Sequence, residues 1–72
     1  MDDAARLNHV DQLLFTIGQR VDLVEQTLVR CPRNVVLQAT LRTLRHQERI
    51  LQEARHAIIE AALNSIEESS VN

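Results

Sequence analysis

Cys31-Pro32-Arg33-Asn34 is the one stretch of this 72-residue chain where a helix is plainly told to stop. Pro32 lacks an N–H and pushes Cys31 away from helical angles. Asn34 is a good N-cap, with a side-chain oxygen for the free amides beyond it. Pro32 could instead occupy the first turn of a second helix. In either case the chain breaks near its middle. The spacing predicts a long helix on each side, over about 3–30 and about 35–66, with a turn at 31–34 and a frayed tail at 67–72. The expected fold is therefore all-α, an antiparallel two-helix hairpin of coiled-coil type forming a single domain.

The composition agrees with that reading. Hydrophobic residues make up 44% of the chain, yet there is one Phe and no Trp or Tyr, so the core must be built from Leu, Ile, Val and Ala. One Gly and one Pro leave little for turns or strands. Eight Arg, no Lys and ten acids give a net charge of −2, which is not the basic balance of a nucleic-acid binder. No apolar run is long enough to span a bilayer. The Met-Asp-Asp opening lacks the basic start and apolar run of a signal peptide. Cys31 is the single cysteine and can form no internal disulfide, so a reduced cytoplasmic setting is expected.

The first helix carries the cleanest pattern. Leu7, Val10, Leu14, Ile17, Val21, Val24, Leu28 and Cys31 are spaced alternately by three and four, the a/d seam of a coiled coil or narrow bundle. Gln12, Gln19 and Gln26 repeat on the opposite face. Asp2 or Asp3 can cap the helix, and Asp2 stands four before Arg6. Phe15 and Leu23 fall off the seam, on a face that ought to be wet, and are candidate partner contacts. Gly18 sits mid-helix, where glycine is costly; close helix approach, simple tolerance or a kink would each explain it.

The second helix has a seam of Leu37, Leu41, Leu44, Leu51, Ile58 and Ala62, joined by Ala54 and Ala61 as the stripe drifts. Arg45-His46-Gln47-Glu48-Arg49 fills the turn where an apolar residue is missing. Folding at the break sets Leu28 against Leu37, Val24 against Leu41, Val21 against Leu44, Leu14 against Leu51 and Leu7 against Ile58. Ile17 alone faces Gln47 and Glu48, and Arg20 is one turn away, able to neutralise Glu48. The second helix is the longer arm. Ile59, Ala62, Leu63 and Ile66 are expected to project past the start of the first helix. Residues 50–63 are apolar nearly all round, which calls for cover from a second side. A two-helix hairpin with one seam is also marginal on its own, so a partner is expected on physical grounds.

Other chemistries find little purchase. His9, His46, His56 and Cys31 lack metal-ligand spacing, although the register sets His9 near His56. Cys31, at a helix end on the seam, is better read as a small hydrophobe than a nucleophile. No metal, cofactor or catalytic residue is expected, and two helices offer no concave pocket for an enzyme. Arg42, Arg45 and Arg49, with His46, could touch RNA phosphates. Glu48 and Glu53 interrupt that stripe, Arg49 can pair with Glu53, and no aromatics accompany it, so a solvated face is the simpler reading.

Glu48, Glu53 and the run Ala57-Ile58-Ile59, set in an Ala-rich second helix after a short polar turn, carry a resemblance to a known family. The chain resembles the small subunit of the type III secretion needle-subunit chaperone, the YscE/SsaE-like group, over its whole length in size and layout and over about a dozen residues in motif. The strict heptads of the first helix and the Cys-Pro turn depart from that family's pattern. The resemblance implies a bacterial co-chaperone that binds a helical-repeat chaperone, the pair holding a needle subunit soluble before export. It assigns Ala57, Ile58 and Ile59 to the partner surface. The overhang argument adds Ala62, Leu63 and Ile66. The competing reading is a homodimeric four-helix bundle with a regulatory or RNA-contacting role, and a third is a structural or designed coiled-coil module.

Overall fold

The computed structural model describes residues 2–70, with side chains described for residues 2–66. The chain forms α1 (Asp3–Arg30) and α2 (Val35–Ser70), packed antiparallel against each other. The hairpin is a rod measuring 60 × 16 × 15 Å.

Both ends of α1 and the start of α2 are closed by groups that the sequence supplies. Asp2 has extended angles (φ −79°, ψ 166°), and its Oδ1 accepts from the Ala5 N–H at 2.7 Å. The carboxylate is thus spent on the cap and forms no ion pair with Arg6. At the other end of α1 the Cys31 N–H donates to the Thr27 carbonyl at 3.0 Å, and Cys31 then leaves the helical region at φ −130°, ψ 66°. This is the displacement a following proline imposes. The Asn34 N–H donates back to the Cys31 carbonyl, while Asn34 Oδ1 accepts from the Leu37 N–H, both at 3.1 Å. Gln38 Nε2 closes the turn from the other side by donating to the Pro32 carbonyl at 2.8 Å. Pro32 accordingly lies in the turn, and Asn34 is the N-cap of α2.

The seam runs as the heptads require, with one correction. Val10, Val21 and Leu44 are buried, and Leu7, Leu14, Ile17, Val24, Leu28, Leu37, Leu41, Leu51, Ala54 and Ile58 are half-buried. Cys31 is exposed rather than seam-facing, because α1 ends at Arg30 and the residue before proline swings off the stripe. Among the described residues two ion pairs tie the helices together: Asp11–Arg55, 2.8 Å between Oδ1 and Nε, and Glu25–Arg45. The expected Arg20–Glu48 pair is not formed. Glu48 stays half-buried on the seam and makes no ion pair among the described residues.

Two further expectations change. The second helix continues to Ser70, so the residues taken for a frayed tail are helical as far as 70; no Gly or Pro stands there to stop it. Residues 71 and 72 of that tail lie outside the described residues. Gly18 is not a site of close approach either. A Cβ built there would meet nothing within 4 Å, and α1 is helical through it without interruption.

The core is thin. Among the described residues no side chain is fully buried. A folded monomer of 72 residues should expose about 4,500 Å², whereas this chain exposes 5887 Å². Its radius of gyration, 17.1 Å, also exceeds the roughly 11 Å of a compact domain of this length. One seam between two helices cannot hide the apolar residues both of them carry.

Candidate protein-binding surfaces

α2 has 36 residues and α1 has 28, so one arm must outrun the other. The difference amounts to roughly 12 Å of helix. The turn fixes which end carries the excess: the C-terminal end of α2. Ile59, Ala62, Leu63 and Ile66 follow the spacing of one helical face. Ile58, Ile59 and Ala62 are half-covered, while Leu63 is 55% and Ile66 64% exposed. The bare arm therefore begins at Leu63, later than the expected start at Ile59. α1 begins at Asp3, as expected, and Ile59 and Ala62 are nevertheless half-covered.

The remaining candidates are not gathered at this arm. Ala57 is exposed on a neighbouring face of α2, one heptad beyond Ile50. Phe15 and Leu23 are exposed at 68% and 65%, on the outer surface of α1. Leu23 lies toward the turn, about 30 Å along the rod from Leu63 by helical rise. The candidates thus describe a terminal arm and separate points on α1, not one patch.

The structure adds apolar residues that the pattern passed over. Val29, Val35 and Val36, at 82%, 70% and 73% exposed, crowd the turn end; Ile50, already part of the apolar stretch 50–63, is 51% exposed in mid-helix. The signal was present: Val35 and Val36 precede the seam residue Leu37 with no polar residue between.

Charges are distributed unevenly. The Arg42, Arg45 and Arg49 stripe is split, because Arg45 reaches across to Glu25. Arg49 makes no ion pair with Glu53; one turn on, His56 Nε2 lies 3.1 Å from Glu60 Oε1. Among the described residues no group of three or more His, Cys, Asp or Glu could hold a metal ion. The surface grooves are open and run beside the seam, one lined by Arg20, Val36, Thr40, Thr43 and Gln47, another by Glu25, Arg45, Glu48 and Arg49. Among the described residues no helix is long and apolar enough to cross a membrane.

Such a surface belongs to a helical hairpin that presents apolar faces along its length. Comparisons with protein-family models, curated proteins and solved structures find no match for this chain.

Proposed function

We propose that this chain is a non-enzymatic co-chaperone or adaptor, a helical hairpin completed by a protein partner. The particular role we infer is in bacterial type III secretion. There it would bind a helical-repeat chaperone in the cytoplasm and help to keep a needle subunit soluble before export.

The observation that carries the reading is the bare C-terminal arm of a hairpin whose own core is incomplete. Leu63 and Ile66 continue the face of Ile59 and Ala62 beyond the reach of α1. An amphipathic arm of this kind is suited to a groove between helices, read as anchors at i, i+3, i+4 and i+7. The mechanism is capping of apolar surface with no turnover. The pair withholds from the needle subunit the contacts by which it would polymerise. Ile58 and Ile59 precede this arm and Ala57 sits on a neighbouring face of α2; the resemblance to the secretion family at these three positions is the ground for the choice of partner.

Co-expression with the helical-repeat chaperone and needle subunit of the source bacterium's secretion system tests the reading. The expected result is a soluble complex of the three chains, lost when Ile59 and Leu63 are both changed to Arg while helicity is kept. If the chaperone and needle subunit remain equally soluble without this chain, the role is wrong. If the complex forms but tolerates the double substitution, the arm is wrong.

A further inference from the structure

The two cross-helix ion pairs distinguish the flanks of the rod. Asp11–Arg55 and Glu25–Arg45 both cross on one side of the seam. The other side, over its turn-proximal length, carries no carboxylate. There α1 contributes Leu13, Arg20 and Leu23, while α2 contributes Val36, Thr40, Thr43, Gln47 and Ile50 at alternate spacings of four and three. Arg20 lines the same groove as Val36, Thr40, Thr43 and Gln47, which sets both rows on one flank.

This flank is less polar than its residue names suggest. The Thr40 hydroxyl donates to the Val36 carbonyl at 2.8 Å, and the Thr27 hydroxyl to the Leu23 carbonyl at 2.8 Å. These two hydroxyl protons are satisfied within the helices, and the methyl groups of Thr27 and Thr40 remain for contact. Val36, 73% exposed, lines the groove, and Leu23, 65% exposed, lines a second hollow beside Thr27 on α1. Arg20 makes no ion pair among the described residues, although the chain as a whole is acidic, with net charge −2.

We propose that this flank docks one amphipathic helix of another protein, with an edge of small and medium apolar residues and acidic borders that set a carboxylate against Arg20. Charge complementarity selects this occupant. A second copy of the chain meeting its own flank about a two-fold axis would present the same carboxylate-free surface. Arg20 would then be covered without an acid. An acidic helix brings that partner and also covers apolar surface in a molecule that exposes more than a compact monomer would. The inference concerns a different surface from the C-terminal arm and does not depend on the secretion role.

The test uses the full chain and two synthetic amphipathic peptides of about four heptads. Both carry Leu and Ala at the seam positions; one is bordered by Glu and the other by Lys. Fluorescence anisotropy should show the Glu peptide binding at least about tenfold more tightly at low salt, with the preference shrinking near 0.5 M NaCl. Arg20→Glu should reverse the preference, and Arg49→Glu, on the opposite flank, should leave it in place; circular dichroism checks that both variants remain helical. Equal binding of the two peptides, binding of neither, or an unchanged preference in Arg20→Glu would overturn the proposal. So would a dimer in sedimentation that Thr43→Arg disrupts, since the flank would then belong to a second copy.

Discussion

At Gly18 and at Glu48 this hairpin gives up stability without a compensating contact. Gly18 lies in uninterrupted α1 with open space where a Cβ would stand. Gly18→Ala should therefore stabilise the chain by about 1 kcal/mol, the difference in helix propensity. In thermal denaturation that corresponds to a Tm rise of about 4–8 °C for a domain of this size; an unchanged or lower Tm would show that the glycine is needed. Glu48 occupies a seam position, half-buried and without an ion pair among the described residues. Glu48→Leu should add roughly 1 kcal/mol by covering apolar surface, measured by urea denaturation. A polar residue on an otherwise apolar seam also serves to hold one register. The same variant is thus expected to loosen the choice of partner or register even as it gains stability.

Each element is held mainly by its ends and its stripe. At the turn, Asn34 caps α2 while the Asn34 N–H and the Gln38 side chain fasten the loop. Asn34→Ala should cost about 1 kcal/mol, the usual value of an N-cap, read as a lower urea midpoint. The cross-helix pairs contribute much less. Glu25 and Arg45 are 43% and 60% exposed, so a double-mutant cycle should give a coupling below about 1 kcal/mol that fades with salt. These elements were legible in the chain, because a heptad, a proline and a capping asparagine act through local geometry. The C-terminal limit of α2 was not. Acids near a helix C-terminus suggested fraying, but no residue there forces a stop, and the helix runs on to Ser70. Cys31 was misplaced for a similar reason: a spacing rule was extended one residue beyond the helix that gives the spacing meaning.

At the scale of the molecule, the mismatch between helix lengths is the main structural fact. It bares the C-terminal arm, while a single seam leaves further apolar surface at the turn end and along one flank. Substituting Leu63 and Ile66 with Arg should change the unfolding midpoint by less than about 0.5 kcal/mol, since both are more than half exposed and surface changes are usually mild. Loss of stability comparable to Leu44→Ala would mean that the arm packs within the hairpin. Much of the arm could be read beforehand, since Ile59, Ala62, Leu63 and Ile66 share a helical face. The carboxylate-free flank could not. Arg20, Thr43 and Ile50 acquire a common side only once Asp11–Arg55 and Glu25–Arg45 show which side of the seam each helix turns toward its partner.

The sequence by itself determined the two helices, the break between them, the a/d seam and the excess length of α2. Periodicity, proline sterics and side-chain capping act over a few residues, so they can be read from one chain. Only the tertiary structure decided how far α1 shelters α2, which side of the rod carries the ion pairs and which lacks acids, and that Gly18 faces open space. Those facts depend on the rotation and offset of one helix against the other. Apolar spacing narrows both, but side chains in contact across the seam set them.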